Sequence, residues 1–385
     1  MKPNALWPLL AAATALIVVH GFGRFVYTPL LPLLVSDGLL TLTEAAQLAT
    51  WNYVGYFSGA MIALFAWQSG YGRSMLFANL VGNAVITLLQ VWTEAYPALA
   101  GLRLLNGITN GIVFVLAPAL VLEWLVAQGK ATLSGLMYLG VGLGILSSKV
   151  VVDLSEHWLS GSGRWLPAAL ISIPLALVTG LYLFRLGSSE PPVNRDDHSS
   201  LWDRQSTPLF LAYAGAGLGY ILPMTFLPAV AQEWQISVSP SPWLIAALAS
   251  VPAIPLWNTL GNRLGDRNTL ILNYLIQAMA TAAIVLLPPQ AMALYLCAAL
   301  MGGSFLGAVF LTQRLARALH PHQGPRLSAA LIAIYGVAQL AGPILAEAGM
   351  HMGATLSSTF IWGLGACLWG MLLMVWVPAG SAHRT

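Results

Sequence analysis

Residues 5–34 read ALWPLLAAATALIVVHGFGRFVYTPLLPLL, an apolar run long enough to cross a bilayer. Its only titratable or charged side chains inside the run, apart from Tyr27, are His20 and Arg24. Lys2 precedes it, as in a secretory leader, but no clear small-residue cleavage site follows. The segment also has a counterpart further on, so it is expected to be retained. Gly21-Phe-Gly23-Arg24-Phe-Val-Tyr27-Thr-Pro29-Leu-Leu-Pro32 aligns with Gly217-Leu-Gly219-Tyr220-Ile-Leu-Pro223-Met-Thr-Phe-Leu-Pro228 at an offset of 196. Gly107 and Gly111 pair with Gly303 and Gly307 at that same offset of 196, as Lys130 and Gly140 pair with Arg326 and Gly336. Asn79, Asn83 and Thr87 pair with Asn273, Gln277 and Thr281 at 194. One register held over several segments is the mark of an internal repeat.

Composition agrees. Of 385 residues 58% are hydrophobic and 8% charged, with Lys+Arg 16, Asp+Glu 13 and a net charge of +3. A soluble domain carries about a quarter charged residues. Soluble enzymes, nucleic-acid binders and disordered scaffolds are therefore excluded. A β-barrel needs alternating strands, and these runs are continuous. The remaining class is an all-α membrane protein. Twelve spans are expected, at 5–34, 44–67, 74–93, 96–124, 131–152, 165–185, 207–231, 241–260, 268–288, 291–314, 327–347 and 355–377. They form two pseudo-symmetric six-helix bundles, 1–185 and 207–385, the second with a short cytoplasmic tail. The polar, Ser- and Pro-bearing stretch 186–206 reads as a flexible cytoplasmic linker.

Orientation follows from Lys and Arg. With the N-terminus inside, Lys2, Arg73, Lys130, Arg185, Arg195, Arg204, Arg263, Arg267, Arg314, Arg317, Arg326 and Arg384 are cytoplasmic and Arg164 alone is outside. Both termini are expected inside. Outer loops carry Asp37, Glu44, Glu94, Glu156, Glu233 and Glu347. Trp7, Trp67, Trp92, Trp124, Trp165, Trp202 and Trp234 stand near span ends, as in interfacial aromatic belts. Cys297 and Cys367 lie inside apolar runs and read as small packing residues.

Cations within spans are costly, about 2.5–3.5 kcal/mol at mid-bilayer. Arg24, Arg103 and Lys149 are therefore singled out. Helical spacing puts His20, Arg24 and Tyr27 on one face, and Arg103, Asn106 and Asn110 on another beside Gly107 and Gly111. Tyr138, Gly142 and Lys149 share a face, as do Tyr213, Gly217 and Tyr220, and Tyr335 and Gln339. Arg24 reads either as an anchor for an anion, whose oxygens a guanidinium forks onto, or as a brace for carbonyls at a helix break near Pro29 and Pro32. Arg103 reads as a brace or as a tuner of a proton-coupling group. Lys149 reads as the partner of Asp153 at i+4. His20, and Glu347 at the end of span eleven, are the candidates for proton coupling. Asn79, Asn83, Asn273 and Gln277 read as helix–helix glue. There is no phosphate-binding loop, no metal-ligand spacing and no nucleophile–base grouping, so neither enzyme activity nor a cofactor is expected.

The 6+6 arrangement with a central cytoplasmic loop resembles the major facilitator superfamily over nearly the whole chain. Gly70-Tyr-Gly72-Arg73 looks like a decayed form of its signature loop, with Ser69 in place of the acid. Asn262-Arg263-Leu-Gly265-Asp266-Arg267 keeps more of it. Arg103-Leu-Leu-Asn-Gly107 resembles its span-four motif, while span five has Gly140, Gly142 and Gly144 without the Gly-Pro of drug antiporters. The Gly21–Pro32 run is similar to the hallmark of the YbfB/YjiJ-type bacterial branch.

That resemblance implies a bacterial inner-membrane permease with alternating access. Spans one, four, seven and ten would line a central cavity between the bundles, with two, five, eight and eleven beside them. Arg24, Tyr27, Asn52, Arg103, Asn106, Tyr138, Tyr220, Tyr335 and Gln339 would then meet the substrate. Arg73, Asn262, Arg263, Asp266 and Arg267 would latch the cytoplasmic gate by capping helix ends. The cationic faces favour an organic anion or zwitterion, carried by a monomer with a proton as the candidate coupling ion. Efflux of mixed amphiphiles by proton antiport and carriage of a neutral sugar are competing transport readings. A non-transporting membrane sensor on the same fold is the alternative of another class.

Overall fold

The computed structural model describes residues 5–68, 70–187, 201–320 and 324–378. Most of the expected linker, 188–200, lies outside the described residues, as do Lys2, Ser69, Arg195, Arg384 and the tail from 379. The described residues hold twelve long helical segments and no strand. They are α1 Leu6–Ser36, α3 Gly72–Trp92, α4 Tyr96–Ala127, α5 Ala131–Ser155, α6 Gly161–Arg185, α7 Thr207–Glu233, α8 Pro242–Leu264, α9 Asp266–Leu286, α10 Ala291–Leu319 and α12 Ser357–Trp376, with α2 Leu42–Gln68 and α11 Gly324–His351. Eleven of them are long and apolar enough to cross a membrane. The exception is α2, whose polar residues include Gln47, Asn52 and Ser58.

The chain divides into two compact units. One comprises Met1–Pro191 with Ser328–Ala333, the other Pro192–Leu327 with Ile334–Thr385. In the first, α2 and α4 make the most extensive helix pair, and glycine explains how. A Cβ on Gly55 would stand 2.1 Å from Leu104 O, and one on Gly59 2.1 Å from Ile108 O. From the other side, Gly107 and Gly111 leave 2.2 Å to Asn52 O and Tyr56 O. Both helices thus carry glycines four apart at the crossing, so backbone meets backbone. α1 crosses α5 in the same way, through Gly21 against Gly144 and Gly140 against Ala13. In the second unit Gly217 of α7 lies against Tyr335 and Ala338 of α11, and Gly302 of α10 lies against Ala246 of α8.

The repeat extends to hydrogen bonds at the ends of the first helix of each unit. Asp37, just past α1, accepts from Gly161 N at 2.7 Å. Glu233, ending α7, accepts from Ser357 N at 2.9 Å and Leu356 N at 2.5 Å. Both acids and both acceptor-bound amides are 196 apart. In each unit the first helix therefore ends on a carboxylate that caps the start of the last, where the helix dipole favours negative charge. Asp37 additionally takes a two-pronged pair from Arg164, at 2.5 and 2.8 Å. Hydrogen bonds from Arg164, then from Gly161 N, hold the Asp37 carboxyl below the usual carboxylate range, outweighing its desolvation.

Several expectations need correction. Trp165 is 1% exposed and stacks on Tyr27, so it belongs to the core and not to an interfacial belt. Trp7, Trp92 and Trp202 are exposed, consistent with such belts. Asn79 donates to Met75 O of its own helix. Asn83 does bridge helices, to Asn106 O and Thr109 Oγ1. The irregular part of α1 is a π-helical stretch, Ile17–Phe25, upstream of the prolines, and Tyr27–Ser36 is α-helical again. Lys149 pairs with Asp153 as its spacing suggested.

Two stability experiments follow. Gly107→Ala forces α2 and α4 apart and should cost roughly 1–3 kcal/mol. Gly101→Ala on the same helix meets nothing within 4 Å and should be neutral or stabilising by up to about 1 kcal/mol. Thermal melting of purified variants checks the contrast. Asp37→Asn should cost about 1.5–3 kcal/mol at neutral pH. The folded carboxyl ionises below its unfolded value, so this stabilisation is complete above about pH 4 and is lost as pH falls through the folded value. The melting difference between wild type and Asp37→Asn should therefore shrink in acid.

Candidate functional site

Charge is distributed unevenly inside the chain. Among the described residues, Arg24, Arg103 and Arg164 are the buried cations, and no aspartate or glutamate is buried. Arg164 is paired with Asp37 at an outer helix end. Arg24 and Arg103 belong to the interior of the first unit.

Arg24 rides on the π-helical stretch of α1 and is 4% exposed. Its guanidinium carbon lies 4.7 Å from the Tyr56 ring centre, 5.0 Å from Tyr53 and 5.4 Å from Phe25. Three ring faces thus offset its charge by cation–π attraction. His20, one turn earlier, packs against Phe114 at 4.3 Å with the rings tilted by 34°, and meets Tyr56 edge-on at 5.9 Å. Tyr138 packs edge-on against Phe114 at 5.9 Å. The cluster therefore joins the expected His20, Arg24 and Tyr138 with Phe25, Tyr53, Tyr56 and Phe114, which the sequence reading passed over. Tyr53 and Tyr56 at i and i+3 on α2, beside Asn52, were the available signal.

Arg103 is a brace. Nη1 donates to Gly23 O at 2.9 Å, and the guanidinium lies over the rings of Tyr27, at 4.6 Å, and Trp165, at 5.6 Å. Tyr27 in turn donates its hydroxyl to Ala45 O at 2.7 Å. Asn52 donates to Arg103 O at 3.1 Å. Asn106 donates to Thr87 Oγ1 at 3.0 Å, and Asn110 to Val19 O at 2.6 Å. The amide oxygens of Asn83 and Asn106 lie 2.4 and 3.1 Å from where a Cβ of Gly23 would stand, so only glycine fits there. The polar face of α4 is thus spent on α1, α2 and α3. Arg24 instead faces rings of α1 and α2, those of Phe25, Tyr53 and Tyr56.

In the second unit, Tyr335 stacks on Tyr213 at 4.5 Å and on Tyr220 at 5.2 Å, and Tyr220 stacks on Phe305 at 5.5 Å. Gln339 is buried on the same helix as Tyr335. Glu347 is exposed and lies 3.7 Å from His351, one turn on.

The residues expected at the gate, with Arg314, fall into three settings. Arg314 of α10 donates to Asp266 at the start of α9 and to Asn258 and Asn262 of α8, at 2.8–3.1 Å from Nε and Nη1. Gly261 leaves room for that contact. Arg267 caps the end of α12 through Met374 O at 3.1 Å and Val375 O at 2.7 Å. Arg263 is exposed and Arg73 half-buried. Arg314 had been counted only as a cytoplasmic charge, although it lies inside α10 and reaches the first residue of α9.

A family model described as "Uncharacterised MFS-type transporter YbfB" matches residues 16–375. The chain belongs to this family. It is a multi-pass membrane transporter of the major facilitator type and not an enzyme. A protein of Cupriavidus pinatubonensis (strain JMP 134 / LMG 1197), named "Probable 4-methylmuconolactone transporter", is 24% identical over 310 residues. The match covers 75% of this chain and 71% of that relative. In this YbfB-type transporter the Arg314–Asp266 pair is part-buried, and losing either side chain should cost about 1.5–3 kcal/mol. Removing both should cost less than the sum of the two, because they share one interaction. Melting of Arg314→Ala, Asp266→Ala and the double variant measures this coupling.

Proposed function

We propose that this protein carries a small organic anion or zwitterion across the bacterial inner membrane by alternating access. The supporting observation is the pair of buried guanidiniums in the first unit, in a chain where no described acid is buried. Buried charge is tolerated in a membrane where it meets a partner or a cavity. Arg103 has a carbonyl and two rings. The Arg24 guanidinium lies over three ring faces. A carboxylate attracts a guanidinium more strongly than a ring face does, so a substrate oxyanion is a partner that Arg24 can take up during transport.

Tyr53 is only half-buried, and it is the side of the ring cage through which an anion reaches Arg24. The rings of Tyr56, Phe114 and Tyr138 supply apolar and stacking surface beside it. The relative named for 4-methylmuconolactone supports a small ring-bearing organic substrate. α2 is the twelfth crossing, since Asn52 is bonded to α4, Ser58 to its own helix, and its glycines lie flush on α4. Both termini are cytoplasmic by the Lys and Arg distribution. His20 is the candidate for a coupling proton. Arg314, Asp266, Asn262 and Arg267 hold helix ends on the cytoplasmic side.

A thermal-shift screen of purified protein against organic anions, cations and neutral solutes, 4-methylmuconolactone included, tests this. Anions should raise the melting temperature of the wild type, and Arg24→Ala should abolish that shift. Equal stabilisation of both proteins by anions, or stabilisation by lipophilic cations alone, contradicts it.

A further inference from the structure

The middle of α1 is wound in a register that an α-helix does not have. Over Ile17–Phe25 it is π-helical, with Val26 N donating to Gly21 O at 2.8 Å, five residues back. π-turns are uncommon and cluster at functional sites. A π-helical stretch shifts everything beyond it relative to a continuous α-helix, and each residue of shift is about 100° of rotation. The direction in which Arg24 points therefore depends on this stretch keeping its register.

Two α4 side chains grip it. Asn110 donates to Val19 O at 2.6 Å, and Arg103 donates to Gly23 O at 2.9 Å. The acceptors are four residues apart on α1 and the donors seven apart on α4. Both donors are buried, Asn110 completely. Asn110 Oδ1 and Arg103 Nε have no hydrogen-bond partner among the described residues. Each side chain thus keeps its bond to α1 while another of its buried polar atoms goes without one. α1 is fixed independently on either side of the stretch. Before it, Ala13 is pressed on Gly140, and beyond it Asp37 is tied to Gly161 and Arg164. The register is set between these fixed points.

We propose that Asn110, together with Arg103, is a positioning residue. It holds α1 in the π register that presents the Arg24 guanidinium to Tyr53 and Tyr56. Without the Asn110 donor, Val19 O loses its lateral bond and the stretch relaxes toward α-helical spacing. Arg24 then turns away from the two tyrosines while the bundle, packed through α2–α4 and α1–α5 glycines, stays folded. The consequence for transport rests on Arg24 being the anion's partner; the consequence for Arg24's surroundings does not.

The test is therefore ligand-free. In full-length protein labelled with ¹⁵N-arginine, the Arg24 side-chain NεH signal is assigned by its disappearance in Arg24→Lys. Ring currents of Tyr53, Tyr56 and Phe25 should shift it upfield. In Asn110→Leu, which keeps the shape but not the donor, that upfield shift should be lost. In Asn110→Ser, which keeps a hydroxyl donor, it should be retained at least in part. If Asn110→Leu does not fold, Asn110→Ala removes the donor without bulk and carries the same expectation. An unchanged Arg24 signal in a folded Leu or Ala variant overturns the proposal. Anion-induced thermal shifts of the same variants separate the two ideas. A moved Arg24 signal with undiminished anion stabilisation means that Asn110 positions Arg24 but that Arg24 is not the anion's partner.

Discussion

Two positive charges buried among apolar helices govern the interior of the first unit. Neither Arg24 nor Arg103 can be left to lipid, and their neighbours are arranged accordingly. Arg103 is held by a carbonyl and enclosed by Tyr27 and Trp165. Arg24 is enclosed by Phe25, Tyr53 and Tyr56. The carbonyls exposed by irregular winding are bonded by side chains from adjacent helices, as a membrane interior demands. In the second unit the break in α10 at Gly303 and Ser304 is treated the same way, with Trp257 Nε1 on Gly303 O at 2.6 Å and Asn273 on Ser304 O at 2.9 Å. Helix irregularity is bought with side-chain hydrogen bonds in both halves.

The repeat shows which parts were free to diverge. The carboxylate caps are kept, as are the glycines at 21, 107, 111 and 140, whereas Gly55, Gly59 and Gly144 are replaced by Val251, Pro255 and Leu340. Interior chemistry is not kept. The positions of Arg24, Asn52, Arg103, Asn106 and Asn110 are occupied 196 residues later by Tyr220, Leu248, Ala299, Gly302 and Leu306. The first unit holds the buried Arg24 and Arg103, and the second a run of stacked rings. One repeated plan thus carries two kinds of interior, in keeping with function residing in sites and not in the fold.

Much of this was legible in the chain. Apolar runs bounded by charge and turn residues located the helices to within a few residues, since a span must bury or satisfy its whole backbone. Gly107 and Gly111 announced a close crossing through their spacing. The face Arg103–Asn106–Asn110 was visible too, but not its allegiance, because periodicity tells which residues share a face and not what that face meets. Thus Tyr27, Asn52 and Asn106 were read as substrate contacts and are engaged with Ala45, Arg103 and Thr87. The ring cage of Arg24 comes from α2, and no local pattern links residues 24 and 53. The π winding leaves no periodic signature at all, since it depends on donors some 80 to 90 positions away.

The claim on which the rest depends is that the Arg24 guanidinium exchanges ring faces for a substrate oxyanion. An experimental structure with a bromine-bearing aromatic carboxylate such as 4-bromobenzoate bound addresses it directly, because the bromine's anomalous signal fixes the ligand's position and orientation. The account predicts the carboxylate on Arg24, with Tyr53 displaced from its present contact. A ligand bound elsewhere, with Arg24 still enclosed by Phe25, Tyr53 and Tyr56, would contradict it.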